Sequence, residues 1–382
     1  MNVDNDGDDN GDKQEQWRMV ITTIIAMTTA SVVFIILRLN REPKEPTVSE
    51  LNVYPIKSCG PMQVQSAMVT EIGFSYDRFA QVSDSNGNYL TPRNGKNARL
   101  FHVKPSIIHD RSNISLELTT TSTSNNNNNK GSTFRIENLN ETIEKSTTTK
   151  EVTPMIGPKV KLEDLGDDVA SWLSTVTDIK DCRLTAIGPK YHRLVEMNPD
   201  QGEPVPLSIK KDIKVVSNNE STSITSPPAV SLADEAPFLL TSSSSLKDLN
   251  SRLKARGKAP VDMQRFRPNI VVSGVSLLPW EEDTWKRIKI GGMEFHVWQR
   301  CGRCSMTTID RITLKRGPEP LATLSTFRER KNGMRNFGMH MTSVPDTASM
   351  EYTETSLVHV GQKLEVLEYD QQRLKEWKRL FL

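Results

Sequence analysis

Short segments in which apolar and polar residues alternate recur along this chain of 382 residues and predict β-strands. Residues 49–57 form one such segment, and residues 66–82 predict a hairpin that turns at Gly73. Further along, Phe295 and Val297 alternate with polar residues. Turn-forming residues separate most of these runs. The pattern favours an α+β architecture that is mainly β, in a chain long enough for two domains.

Three segments carry the spacing of amphipathic helices. Residues 164–176 would begin at Asp164 as a cap, and residues 242–256 would end at Gly257. Residues 370–382 would form a basic amphipathic tail that either packs on the protein body or contacts a membrane surface. The apolar positions that define the three helices are Leu165, Val169, Trp172 and Leu173; Leu246, Leu249 and Leu253; and Leu374, Trp377 and Phe381.

An uncharged, mainly apolar segment, residues 19–37, lies between Arg18 and Arg38. As a helix it would rise about 28 Å, which just spans the hydrocarbon core of a bilayer. No small-x-small cleavage site follows it, so a retained anchor is predicted rather than a cleaved signal peptide. Cations follow the segment whereas residues 1–18 are rich in aspartate, which predicts a body facing the cytosol. The acidic leader also disfavours a matrix transit peptide.

Composition excludes some classes of protein. A net charge of +2, with basic residues spread along the chain, lacks the excess expected of a nucleic-acid-binding protein. Neither a glycine-rich nucleotide loop nor a recognisable Ser/His/Asp order is present. Four cysteines without a secretory framework indicate a reducing compartment. Two polar segments, residues 119–132 and 217–228, bury little apolar area and are predicted to be loops.

The segment Cys301-Gly302-Arg303-Cys304 places two thiols and a guanidinium within four residues. Thiolates are soft ligands for transition metals and form more readily beside a cation. Arginine forks onto phosphates and other planar oxyanions. Together these groups suggest a sulfur-ligated metal cofactor that also carries a phosphate.

The spacing of the two cysteines is also compatible with several simpler roles. A zinc site would need two further ligands, and Cys59 and Cys182 are isolated along the chain. A thioredoxin-like pair would open a helix, whereas residues 307–309 are β-formers that predict a strand. A structural disulfide is disfavoured in a reducing compartment. Two buried, unreactive cysteines are the commonest outcome for such a pair without other context.

Several motifs, in one order along the chain, resemble those of the MOSC-domain proteins that bind the molybdenum cofactor. They are YPIKSC at 54–59, YDRF at 76–79, FRPNIVVSG at 266–274, Trp285, CGRC at 301–304 and PLATL at 320–324. The resemblance covers most of residues 47–368 and, with the apolar segment, points to the amidoxime-reducing members of the family.

The resemblance implies a MOSC-type N-terminal β-barrel domain followed by a MOSC β-barrel domain, behind one transmembrane helix. The expected organisation is an acidic leader (1–18), a transmembrane anchor (19–37), a linker (38–46), the N-terminal β-barrel domain (47–185), the MOSC domain (206–368) and a basic amphipathic tail (369–382).

The resemblance also implies roles for individual residues. Cys304 is expected to be the molybdenum ligand and the catalytic residue, because the family's metal-binding cysteine occupies the second position of the pair, which leaves Cys301 more dispensable. The residues expected to contact the pterin and its phosphate are Lys57, Ser58, Arg78, Arg267, Asn269 and Arg303, together with Cys304. Several cations and polar donors are needed to offset the desolvation of a phosphate. For each arginine the alternative is a surface salt bridge, which contributes little free energy.

Two sites, comprising three residues, depart from the pattern of the amidoxime-reducing proteins. Gly302 stands where they usually have a small hydroxyl residue, and Glu235-Ala236 replaces a hydroxyl-rich pair. The loss of these hydroxyl donors and the added carboxylate leave the strength of phosphate binding, the edge of the pocket and the substrate range open.

The resemblance implies a molybdenum-dependent oxidoreductase that reduces amidoximes and related N-hydroxylated compounds. Its electrons would come from NADH through NADH-cytochrome b5 reductase and cytochrome b5, and the chain has no flavin, haem or nicotinamide signature of its own. The implied location is the mitochondrial outer membrane, although charge alone equally allows the endoplasmic reticulum. The alternatives are a sulfur-transfer or carrier protein of the cofactor, whose relatives add a pyridoxal-phosphate domain without a match here, and a noncatalytic cofactor-binding protein.

Overall fold

The computed structural model describes residues 43–110, 113–120, 131–155, 159–189, 191, 211–217, 220–226, 230–329, 333–344 and 356–381. Within them the chain is mainly β. Its strands are β1 (Thr47–Val53), β2 (Ile56–Lys57), β3 (Met62–Val64), β4 (Ser66–Thr70), β5 (Gly73–Phe74), β6 (Ala80–Ser83), β7 (Val103–Asp110), β8 (Asn113–Thr120), β9 (Thr133–Ile136), β10 (Thr149–Val152), β11 (Val160–Asp164), β12 (Arg183–Ala186), β13 (Lys211–Ser217), β14 (Glu220–Ser226), β15 (Phe238–Ser242), β16 (Ile270–Ser273), β17 (Trp285–Ile290), β18 (Met293–Arg303), β19 (Arg335–Val344), β20 (Leu357–His359) and β21 (Leu364–Tyr369).

Two sheets position the candidate site. An eight-stranded sheet runs in the order β21-β17-β18-β19-β15-β16-β1-β3, and a five-stranded sheet runs β10-β11-β12-β6-β2. Most neighbours are antiparallel, whereas β15 and β16 are parallel, as are β2 and β6. Because β1 and β3 complete a sheet whose other strands follow residue 237, the two halves of the chain share one layer. Shorter sheets are β20-β4-β5, β7-β8-β9 and the hairpin β13-β14.

Each large sheet buries its own apolar cluster. Leu51, Phe238, Ile270 and Phe295 belong to the cluster of the eight-stranded sheet and are fully or nearly fully buried. A second cluster around Val82 joins the five-stranded sheet to its neighbouring strands and helix. Burial of one such side chain stabilises the fold by about 1.5–3 kcal/mol. The two clusters therefore fix the positions of the strands whose ends contribute to the site.

The α-helices are short. They are α1 (Leu139–Glu144), α2 (Asp167–Thr177), α3 (Ser243–Ala255), α4 (Leu321–Leu324) and α5 (Gln371–Phe381). The 3₁₀ helices are Pro92–Asn94, Ala98–His102, Met263–Phe266, Glu281–Thr284 and Ser305–Thr308. The predicted helix of residues 242–256 is confirmed as α3, since the Ser242 hydroxyl accepts hydrogen bonds from the first-turn amides and Gly257 follows in the left-handed region.

The C-terminal tail is a helix, as predicted, and it packs on the body. In α5 the indole of Trp377 is buried and donates a hydrogen bond of 3.0 Å to the carbonyl of Pro279. Leu374 and Phe381 pack on a third apolar cluster, which contains Trp377 and Trp280.

Two predicted elements begin or end elsewhere. Asp164 does not cap a helix: it ends β11, where its buried carboxylate accepts 2.7 and 2.8 Å hydrogen bonds from Arg183, and α2 begins three residues later. The hairpin predicted for residues 66–82 is confined to β4 and β5, because the next strand, β6, pairs in a different sheet.

Two further predictions are wrong. Residues 307–309 do not form a strand; Ser305–Thr308 is a 3₁₀ helix in which the hydroxyls of Thr307 and Thr308 bond back to carbonyls three residues earlier. Residues 217–228 are not simply a loop, since Glu220–Ser226 pairs antiparallel with Lys211–Ser217. The β-branched residues of both segments favour strands over loops.

The predicted anchor, residues 19–37, lies outside the described residues, as does most of the polar segment 119–132. Across the parts of the chain that are described, no helix combines the length and apolarity needed to cross a bilayer.

Candidate functional site

A cavity of about 240 Å³ collects residues from seven separate parts of the chain. All seven residues that the sequence motifs indicated line it, namely Lys57, Ser58, Arg78, Arg267, Asn269, Arg303 and Cys304. The other lining residues are Tyr89, Arg93, Ala233, Asp234, Glu235, Ala236, Leu239, Arg265, Phe266, Cys301, Gly302, Met306, Thr307, Met334 and His340. Basic side chains outnumber carboxylates on this surface, so the cavity is suited to an anion.

Three of the lining residues have left-handed backbone conformations. The φ angles of Ser58, Arg78 and Arg267 are 71°, 48° and 55°. This region costs a non-glycine residue about 1–3 kcal/mol, and such strain concentrates at functional sites. Ser58 directly follows β2, Arg267 directly follows the 3₁₀ helix Met263–Phe266, and Arg78 lies in the turn before β6; all three line the cavity. Three of the nine described non-glycine residues with positive φ thus line the cavity.

Arg78 is held by a buried polar network. Its guanidinium forms an ion pair with Asp77, whose side chain is fully buried, and donates a 3.2 Å hydrogen bond to Oδ1 of Asn269. Burial alone would lower the pKa of Arg78, but Asp77 more than offsets this and raises it. Asn269 also accepts a hydrogen bond from the amide of Leu239 and donates one to the carbonyl of Asn52. Asn269 thus ties the strands around the site together.

Arg267 is the other arginine of this wall. Its Nη1 donates a 2.6 Å hydrogen bond to the carbonyl of Cys59, and its guanidinium lies 4.2 Å from the ring centroid of Tyr54. Burial lowers the pKa of Arg267 and raises that of Tyr54 to about 12. Among the residues that the structure describes, Arg267 has no carboxylate within ion-pair distance. A buried cation without a counterion is a favourable partner for a bound anion.

The cysteine pair has two different environments. Cys301 is buried on β18, where its sulfur accepts a 2.7 Å hydrogen bond from Nη1 of Arg303. Nη2 of Arg303 donates a 2.6 Å hydrogen bond to the carbonyl of Phe266, while its Nε is buried without a hydrogen-bond partner in the described part of the chain. Cys304 follows at the start of the 3₁₀ helix and is partly exposed. Cys301 positions the arginine, and Cys304 offers its thiol to the cavity.

Sequence reasoning missed Arg93, Asp234 and Tyr89. Asp234 bridges two cations, with its oxygens 2.6 Å from Nζ of Lys57 and 3.0 Å from Nη2 of Arg93. Burial lowers the pKa of Arg93, but Cys304, which accepts a hydrogen bond from it, and Asp234 raise it overall. The hydroxyl of Tyr89 shares a short hydrogen bond with Ser58. None of the three belongs to a motif, although Asp234 directly precedes the departure at Glu235.

The two departures noted in the sequence both face the cavity. A Cβ at Gly302 would lie 2.5 Å from Cε of Met334, the far end of a flexible side chain, so a hydroxyl residue there would require Met334 to move. Glu235 places Oε2 3.5 Å from Nδ1 of His340. The cavity therefore has a thioether and an acidic group where hydroxyl donors were expected.

The donor set fits the molybdenum cofactor. Arg267 and Arg303 offer guanidinium groups without carboxylate partners among the described residues, and the Nε of Arg303 is buried and unpaired there. A phosphate would supply the missing acceptor and counterion. The thiol of Cys304 lines the same cavity and is a soft ligand of the kind that molybdenum accepts.

Comparison with known proteins agrees with this donor set. Residues 45–180 match the MOSC N-terminal beta barrel domain, and residues 227–365 match the MOSC domain. Mitochondrial amidoxime-reducing component 1 of Mus musculus is 31% identical over 288 residues, 74% of this chain and 71% of that protein. The Homo sapiens protein of the same name is 29% identical over 74% of this chain and 72% of its own length.

A second kind of relative matches the same region. Molybdenum cofactor sulfurase of Danio rerio is 28% identical over 306 residues, which are 77% of this chain and 32% of that protein. This chain thus corresponds to about a third of the sulfurase. With both domains present and a relative that aligns over most of each chain, the protein belongs to the MOSC family and is similar to the mitochondrial amidoxime-reducing component.

Proposed function

We propose that this protein is a membrane-anchored molybdenum enzyme that reduces N-hydroxylated compounds such as amidoximes. The observation that carries the proposal is the convergence, on one cavity, of the Cys304 thiol with Arg267 and Arg303. The similarity to an amidoxime-reducing component over most of both chains supports the choice of reaction.

In this proposal each wall of the cavity has one task. Arg267 and Arg303 bind the phosphate of the cofactor, and Lys57 and Ser58 contact the pterin side. The thiol of Cys304 would be the protein ligand of the metal, and Arg93 donates a hydrogen bond to it. When bound, the cofactor supplies the redox centre for a reaction in which two electrons and two protons convert N–OH to N–H and water.

Electron supply and location are part of the same proposal. Electrons would come from NADH through cytochrome b5 reductase and cytochrome b5, since the sequence carries no motif for a second redox group. Residues 19–37 would anchor the protein in the mitochondrial outer membrane, with the body in the cytosol beside a membrane-bound donor. The names of the amidoxime-reducing relatives support the mitochondrial assignment.

Cofactor content and turnover test the proposal together. The full chain is purified in detergent, molybdenum is measured by mass spectrometry, and the pterin is measured by fluorescence after oxidation. Reduction of benzamidoxime is then assayed with NADH, cytochrome b5 and its reductase, with the Cys304→Ala variant as the control. We expect about one molybdenum and one pterin per chain and turnover that the variant lacks.

The sulfurase relatives favour a second candidate, a carrier or sulfur-transfer protein of the same cofactor. Bound cofactor without benzamidoxime reduction would support that candidate over the reductase. A protein that contains neither molybdenum nor pterin would exclude both.

A further inference from the structure

Glu235 gives the cavity an acidic pole, and we propose that this pole binds a positively charged group of the substrate. The inference rests on the proposed function and narrows its substrate class to N-hydroxylated compounds that carry a second, cationic group such as an amidinium or ammonium. Glu235 then determines specificity and takes no part in the redox step.

The pairing of charges around the cavity is the first reason. The other carboxylate on the cavity wall, Asp234, lies within ion-pair distance of both Lys57 and Arg93. Arg78 and Arg265 have their own carboxylates outside the lining, at Asp77 and Asp310. These charges are compensated inside the protein and leave little net field for a ligand.

In the described part of the chain, three charged groups of the lining lack a partner that is always charged. Arg267 and Arg303 have no carboxylate partner in the described residues, and an anionic cofactor would neutralise them. Glu235 has one ion-pair partner there, His340, which is charged only when it is protonated.

The position of Glu235 is the second reason. Its side chain is 27% exposed, whereas the side chain of His340 is 8% exposed. His340 is fixed in β19, where its Cα partner is Leu239 of β15, four residues after Glu235. The imidazole therefore contacts the carboxylate from the protein side, and the accessible part of Glu235 contributes to the wall of the cavity. A carboxylate held in this way loses little side-chain entropy when it binds a cation.

The charge of Glu235 sets the size of the expected effect. A partly desolvated carboxylate that pairs with an amidinium forms charge-assisted hydrogen bonds, which are among the stronger polar contacts of proteins. Replacing the carboxylate by the isosteric amide removes the charge and keeps the volume. We expect affinity for a cationic ligand to fall about tenfold, the effect of about 1.4 kcal/mol.

The first experiment measures binding without turnover. Benzamidinium is titrated against the purified full chain by ligand-observed NMR, and the molybdenum content of each sample is measured. The Glu235→Gln variant is compared with Glu365→Gln, which removes an exposed carboxylate of β21 that does not line the cavity. We expect Kd to rise about tenfold in Glu235→Gln and to stay within about twofold in Glu365→Gln. Equal Kd values for the wild type and Glu235→Gln would overturn the inference.

The second experiment compares two substrates in steady state. The ratio of KM for benzamidoxime to KM for its 4-aminomethyl derivative measures the preference for a cation. This ratio should fall about tenfold in Glu235→Gln relative to the wild type and to Glu365→Gln. An unchanged ratio in an active enzyme would contradict the proposed role of Glu235 and would leave the proposed function standing. If the wild type reduces neither compound, the proposed function fails, and the benzamidinium titration still decides whether Glu235 binds cations.

Discussion

Replacing Arg267 by alanine should remove the cofactor while leaving the protein folded. Replacing Arg78 by alanine should lower both the cofactor content and the stability of the fold. In the wild type Arg267 contributes one hydrogen bond to the carbonyl of Cys59 and a contact with the ring of Tyr54. These are worth about 1.5–3 and 0.5–2 kcal/mol. Removal of a desolvated cation without a carboxylate partner offsets part of this loss. The net destabilisation expected for Arg267→Ala is therefore about 1–2 kcal/mol.

Arg78→Ala has a different cost, because it strands the carboxylate of Asp77, whose side chain is fully buried. Breaking a buried ion pair by removing one partner costs about 3–5 kcal/mol. The two variants should therefore differ by about 2 kcal/mol or more in the free energy of unfolding. For cofactor binding, Arg267 should matter more than Arg78. Loss of one charge-assisted bond to a phosphate lowers affinity about 10–100-fold.

The assay separates the two quantities. Cofactor-free protein from a host unable to make the cofactor is unfolded in urea, and protein from a competent host is analysed for molybdenum and pterin. Arg267→Lys, which keeps the charge and loses the forked geometry, should retain an intermediate cofactor content. The reasoning would be refuted by full molybdenum content in Arg267→Ala, or by equal destabilisation of Arg267→Ala and Arg78→Ala.

Three other changes to the chain probe the metal ligand, a buried carboxyl and the anchor. Cys304→Ser should abolish benzamidoxime reduction, whereas Cys301→Ala should keep a substantial fraction of it, and the opposite result would reverse the ligand assignment. Burial and the neighbouring carboxylate of Asp283 raise the pKa of Glu282 well above its ordinary value of 4.5. The stability contributed by the protonated Glu282 is therefore fully present below about pH 4.5 and is lost as the pH rises through the raised pKa. Glu282→Gln, which can still bond the hydroxyl of Ser245, should flatten that loss in urea unfolding measured across the range. Deletion of residues 1–41 should yield protein that stays in solution without detergent and still reduces benzamidoxime; an inactive, fully cofactor-loaded product would contradict the assignment of this segment as an anchor alone.

The candidate site shows how far local sequence reasoning reaches. The motifs indicated seven residues, and all seven line one cavity. Arg93 and Asp234 were missed, since their importance comes from contact with Lys57 and Cys304 across the fold. The β propensity of residues 307–309 predicts a strand, whereas local hydroxyl-to-carbonyl bonds make Ser305–Thr308 a 3₁₀ helix.

The sequence by itself determined the mainly β class, the helix after Ser242 and the amphipathic tail. These features depend on side-chain period, capping and residue type, which act within a few positions of the chain. Only the tertiary structure decided that β1 pairs with β16, which lies in the other half of the chain. It also decided which charges are paired: Asp234 lies beside Lys57, whereas Arg267 has no carboxylate partner among the described residues. Pairing between distant strands and the partners of a buried charge depend on distances in space, which no local pattern encodes.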